Sequence, residues 1–161
     1  PKRTIKVGLW GGEEQAYLGS AAYAKKHFGD LNEKPNIASK KIAAYLNLDN
    51  GAGLIRGVFL QNNELARPVF EKVFEPISTI TSGAIAIENT LSTDHETFDY
   101  YNIPSFQFIQ DDLAYGSATH HTTLDFLEYV PENDIMKNAV ILAWTIYSLD
   151  TMNENIPRKK K

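Results

Sequence analysis

Cysteine is absent from all 161 residues of the chain. That excludes a disulfide framework and any metal site built on thiolates, although it leaves the cellular compartment open. Long apolar runs are missing too. No stretch approaches the roughly 20 apolar residues of a membrane-spanning helix. Positive charge is scarce: 16 Lys and Arg stand against 20 Asp and Glu, a net charge of −4 that gives no basis for nucleic-acid binding. The one basic cluster, Lys159-Lys160-Lys161, reads as a solvated end, so residues 153–161 are expected to form a polar tail beside a folded unit over 1–152. No leader peptide, internal repeat or low-complexity stretch is visible. Pro1-Lys2-Arg3 runs straight into an apolar segment, an abrupt start that reads as a cut within a longer protein.

What is present is one domain or less, with 43% hydrophobic residues to build its core. Thr4 to Trp10 reads as a buried central strand, ended by Gly11-Gly12. Glu13 to Phe28 follows with helical spacing and Gly29 as its C-cap, and Asp30 to Lys40 is a polar loop. Further strands are expected at Ile42 to Leu48, Leu54 to Gln61, Ala84 to Ile87 and Ser105 to Ile109. Helices are expected from Asn63 to Phe74, with Pro68 near the first turn, and from Thr93 to Tyr101, with Thr93 and Glu96 as a capping box. The last helix, Asp134 to Met152, places Ile135, Ala139, Leu142, Ala143 and Ile146 on one face. Helices alternating with buried strands indicate an α/β, three-layer sandwich around a mostly parallel, mixed sheet.

Chemistry concentrates at the strand ends. Adjacent Glu13 and Glu14 follow the first strand, and two like charges there are costly without a cation between them. Asp49 ends the segment Leu46-Asn47-Leu48-Asp49-Asn50, and His120-His121 lies in the long loop after the strand at 105–109. In open α/β sheets, sites form beyond the carboxyl ends of strands, so these groups can share one rim. Glu, Asp and His form the donor set of a hydrolytic zinc site, with one Glu left over as a base. Each signal has a plain alternative: first-turn acids, a turn aspartate, a surface histidine.

The ordered set resembles the C-terminal part of the catalytic domain of the M28 zinc peptidases, the aminopeptidase and glutamate-carboxypeptidase group. The resemblance spans Thr4 to about Leu149. It rests on Gly-Gly-Glu-Glu after a strand, on Leu-Asn-Leu-Asp, on Thr93-Asp94-His95 with Phe98, on Asn102 before Ile103-Pro104, and on His121-Thr122 followed by Asp125. It implies a zinc-dependent exopeptidase acting on terminal peptide bonds or dipeptides. Glu13 would be the general base, Glu14 and His121 ligands of one zinc and Asp49 a ligand of a second. Asp94 and His95 would support the site or the substrate, and Asn50, Phe108, Tyr115 and His120 would line the substrate pocket. An upstream His and a bridging Asp are expected from outside these residues. The sheet is thus expected to be incomplete on its N-terminal side, with about half of the site, three of five ligands, held here. The resemblance further implies a secreted, periplasmic or cell-envelope location. Two other readings stay open: a single-zinc enzyme similar to glutaminyl cyclase, and a non-catalytic peptidase-like interaction module.

Overall fold

The computed structural model of the chain describes residues 1–31 and 36–159. Part of the expected polar loop (32–35) and the last two tail residues (160–161) lie outside the described residues. Four strands form one sheet: β1 (Tyr45–Asn47), β2 (Ile55–Phe59), β3 (Ala84–Ala86) and β4 (Ser105–Gln110), in the order β1-β4-β2-β3. β1 runs parallel to β4 and β2 parallel to β3, while β2 and β4 are antiparallel, so the sheet is mixed. Gly57 permits the β2–β3 approach, because a Cβ there would lie 1.8 Å from the carbonyl oxygen of Ala84.

Helices cover both faces. The longer ones are α1 (Leu18–Phe28), α3 (Arg67–Phe74) and α5 (Glu132–Thr151), with short α2 (Ile37–Lys40) and α4 (His95–Tyr100). Strand alternation sorts the core. Leu46, Phe106, Phe108 and Val58 pack with Phe70, Phe74 and Ile141 of α3 and α5. Tyr45 packs on the opposite side with Phe28, Phe98 and Tyr101 of the α1–α4 layer, its ring stacked on Phe98 at 4.1 Å. Pro68 falls in the first turn of α3, where its missing N–H has no helical partner to lose.

Several expectations require correction. Residues 4–10 form no strand. Among the described residues no backbone hydrogen bond pairs them, and Val7 and Leu9 are 85% and 93% exposed. A strand needs a ladder partner. This segment instead faces β1 across a cavity of about 1100 Å³ that both of them line. α1 begins at Leu18 rather than Glu13, because Ala16 and Tyr17 adopt positive φ (69° and 58°). The expected capping box is displaced by one residue: Glu96 accepts from the N–H of Ser92, while the Thr93 hydroxyl meets His95. The inward stripe of α5 is also rotated. Ile135, Ala139 and Ala143 are exposed, whereas Asn138, Ile141 and Thr145 are buried. Asn138 takes a core position because it closes the start of β2: its Oδ1 accepts from Ile55 N–H (2.7 Å) and its Nδ2 donates to Gly53 O (2.9 Å).

The segment expected to be a solvated tail is anchored as far as residue 159. Ile156 is buried and Asn63 Nδ2 donates to the carbonyl of Pro157. The Arg158 guanidinium donates to the carbonyls of Ser39, Lys40, Ile42 and Asn102, and Lys159 pairs with Asp99 at 2.7 Å.

Candidate metal centre

After Trp10, Gly12 turns the chain with φ +69°, and Leu18 and Gly19 donate their N–H groups to the carbonyls of Gly12 and Gly11. The turn and the start of α1 meet closely enough that a Cβ on Gly19 would lie 2.6 Å from the oxygen of Gly11. Glu13 and Glu14 project from the turn so held. On the other side, the chain leaves β4 and makes a π-helical turn at Tyr115–Thr119, a feature common at functional sites. It then places His121 in the left-handed region (φ 57°), a conformation that costs energy in a non-glycine residue.

These two elements meet. His121 Nε2 lies 2.7 Å from Glu14 Oε1, and both side chains are more than half exposed. Asp49, just beyond β1, lines with them a cavity of about 390 Å³ that also includes Tyr115, His120, Asp112 and Asp125. Ring contacts order the loop: His120 sits 3.8 Å from His121 and 4.5 Å from Tyr115. Tyr115 in turn packs on Gly51 (φ +88°), where a Cβ would come within 2.9 Å of it.

The electrostatics match crowded carboxylates. Glu13 is held above the ordinary carboxylate range by burial first, then by the charges of Asp49, Glu14 and Asp94, while His121 lowers it. Asp49 is raised by burial, Asp94 and Glu14, with His120 acting against them. Burial first, then the charges of Asp49, Glu14, Glu13 and Asp112, push the Tyr115 phenol up, which favours its neutral, donating form.

The donor chemistry fits zinc: a carboxylate and an imidazole nitrogen in contact at an open rim, with a second carboxylate on the same wall. The set is partial. Among the described residues, no group of three His, Cys, Asp or Glu side chains stands close enough to hold a metal on its own.

Of the expected site residues, Glu14, Asp49, His120, His121 and Tyr115 share the smaller cavity, while Glu13, Asp49 and Asp94 share the larger one. Three others are placed differently. Phe108 is fully buried in the core, because its position on β4 faces α3 and α5. His95 is 1% exposed and spends both ring nitrogens on Thr93 and Thr90. Asn50 lines neither cavity, and its N–H donates to Gln110 Oε1. Ser20 and Asn47 were not singled out from the sequence, yet both are buried next to the acids. Ser20 Oγ donates to Asp94 Oδ1 at 2.5 Å. A signal for Asn47 existed, an amide between two leucines at a strand end.

A three-layer α/β fold whose acids and histidines gather at the carboxyl ends of its strands has the architecture of the zinc exopeptidases. The profile of Peptidase family M28 matches residues 1–145, and the chain belongs to that family. Carboxypeptidase Q of Mus musculus is 25% identical over 158 residues, covering 98% of this chain and 32% of its own length. A probable glutamate carboxypeptidase VP8 of Zea mays is 27% identical over 177 residues, covering 97% and 23%. Among solved structures, the aminopeptidase from Aneurinibacillus sp. strain AM-1 superposes with TM-score 0.62 at 16% identity, over 94% of this chain and 34% of its own. BSAP, a zinc aminopeptidase from Bacillus subtilis, does so with TM-score 0.62 at 20% identity, over 86% and 34%. The chain thus spans about a third or less of these relatives.

Proposed function

We propose that the chain carries part of the active site of a zinc-dependent exopeptidase that hydrolyses terminal peptide bonds or dipeptides. The observation that carries this reading is the 2.7 Å meeting of Glu14 and His121 on the rim that also holds Asp49. Glu14 and His121 would hold one zinc and Asp49 a second. The remaining donors would come from polypeptide outside these residues. The unfilled cavity between residues 4–10 and β1 supports this. It is walled by Ile5, Val7 and Leu9 on one side and by Ala44, Leu46 and Leu48 on the other.

Zinc, when bound, supplies a Lewis acid that polarises the scissile carbonyl and acidifies water. Glu13 then has the proton work. Its raised proton affinity suits a base that takes a proton from the attacking water and passes it to the leaving amine. Tyr115 and His120 would orient the substrate from the cavity wall. Asp112 and Asp125 add two further acids there, and no Lys or Arg lines this cavity among the described residues. That charge balance favours a substrate's free α-ammonium over its carboxylate, which would call for a cation.

The test is hydrolysis by the zinc-loaded protein, completed by its upstream polypeptide. Leucine p-nitroanilide should be cleaved, N-acetylated dipeptides cleaved far more slowly, and a chelator should stop both. Zinc stoichiometry separates a two-zinc site from a single-zinc one. Stoichiometric zinc with no cleavage of any peptide end would leave the interaction-module reading in its place.

A further inference from the structure

A directional hydrogen-bond chain runs beneath the acidic rim. The indole N–H of Trp10 donates to the Tyr45 hydroxyl (2.9 Å), which donates to Asn47 Oδ1 (2.9 Å). Asn47 Nδ2 donates to Gln107 Oε1 (2.7 Å) and to Thr93 Oγ1 (3.0 Å). Thr93 Oγ1 meets His95 Nδ1, and His95 Nε2 reaches the carbonyl oxygen of Thr90 at 3.1 Å.

The sense of every bond follows from chemistry. A carbonyl oxygen only accepts, so Nε2 of His95 carries a proton. Burial holds the imidazole below its ordinary proton affinity, which favours its neutral form at neutral pH. Its Nδ1 is then an acceptor, and the Thr93 hydroxyl gives it its single proton in preference to Gln107 Oε1, which lies farther off at 3.4 Å. That hydroxyl can in turn accept from Asn47. Because the Tyr45 hydroxyl donates to Asn47 Oδ1, Asn47 Nδ2 faces Gln107 and requires its oxygen there, which leaves Gln107 Nε2 buried without a partner among the described residues.

Four stations of this chain are close in sequence to acids of the candidate site. Trp10 lies three residues before Glu13, Asn47 two before Asp49, and Thr93 and His95 flank Asp94. Asn47, Thr93, Gln107 and His95 are each at most 6% exposed. Apolar side chains would fill such space with no polar group to satisfy, so a polar chain here specifies position rather than bulk stability.

We propose that His95 is a positioning residue: its Nε2–H tautomer ends a relay through Thr93, Asn47 and Tyr45 to Trp10 that holds the segments bearing Glu13, Asp49 and Asp94 in register with one another. This rests on the exopeptidase reading above, because the register matters only if those acids act together.

The experiment joins NMR with kinetics on the zinc-loaded protein completed by its upstream polypeptide. Long-range ¹H–¹⁵N spectra at neutral pH should show His95 protonated on Nε2. Thr93→Val keeps the side-chain shape and removes the hydroxyl. It should shift the Trp10 indole N–H resonance upfield and lower kcat by about 10- to 100-fold with KM unchanged, and Thr93→Ser should restore both. A His95 protonated on Nδ1 instead would overturn the proposal. So would a Thr93→Val protein that melts lower but keeps the wild-type Trp10 resonance and kcat. If the wild-type protein hydrolyses no peptide, the exopeptidase reading falls and the positioning role with it. The NMR result, which needs no turnover, distinguishes that outcome from failure of the relay.

Discussion

His121 and Glu14 touch at 2.7 Å although 107 positions separate them in the chain. The contact does little for stability, since even a fully charged exposed pair contributes on the order of 0–1 kcal/mol. Yet the protein holds His121 in a left-handed conformation to make it. A strained residue in an energetically slight contact at a cavity mouth is consistent with the proposal that Glu14 and His121 share a ligand.

Base and ligand should separate by mutation. In the protein completed by its upstream polypeptide, Glu13→Gln should retain the fold and most of the zinc while losing about 10²- to 10⁴-fold in kcat. Glu14→Ala should lose zinc directly. Metal analysis beside kinetics reads both, and equal metal loss in the two variants would show that the roles are exchanged.

The metal-free protein should carry a pH signature of the crowded acids. Glu13 and Asp49 bind protons more readily in the native state than unfolded, because burial and neighbouring carboxylates raise them. Their stability contribution is therefore fully present below the unfolded carboxylate range and lost as pH rises through the raised native values. Glu13→Gln removes part of that loss. Its Tm should match the wild type in acid and exceed it at neutral pH in chelator. A variant melting below the wild type at neutral pH would contradict this.

The chain alone should self-associate and bind zinc weakly. Val7 and Leu9 are largely exposed, and among the described residues no strand covers the sheet edge at β1. Sedimentation should show oligomers that Val7→Lys with Leu9→Lys shifts towards monomer. Calorimetry with zinc should show no micromolar site, because the ligand set is partial. A tight site in the isolated chain would mean that a further ligand lies within these residues.

Asn138→Ala should destabilise by about 1–3 kcal/mol, because it takes the side-chain acceptor from the buried N–H of Ile55 and leaves the Gly53 carbonyl with Gln110 Nε2 as its remaining side-chain donor. Asn138→Leu should not restore the loss, which thermal melts of the two variants would test.

The sequence carried the strand-end logic well. β2, β3, β4 and the gathering of Glu14, Asp49 and His121 on one rim follow from apolar periodicity and from where acids sit relative to strands. It failed where a tertiary partner decides. Residues 4–10 have the composition of a strand, but pairing belongs to two segments and cannot be read from one. Asn138 looks like a surface residue until the open start of β2 needs its amide. Phe108 and His95 stand near the site in the chain but turn inward, because register and hydrogen bonding set side-chain direction and proximity in sequence does not. The anchoring of residues 156–159 was hidden for the same reason: a run of basic residues looks solvated unless bare carbonyls await it.

That anchoring bears on how the molecule is made. Arg158 grips the carbonyls of Ser39, Lys40 and Ile42 across sequence separations of 119, 118 and 116 residues. During synthesis those carbonyls emerge long before their donor, so the entry to β1 must wait on a residue translated far later. Such long-range closure slows folding, and a ribosome stalled short of residue 158 would present the whole rim on a scaffold not yet locked.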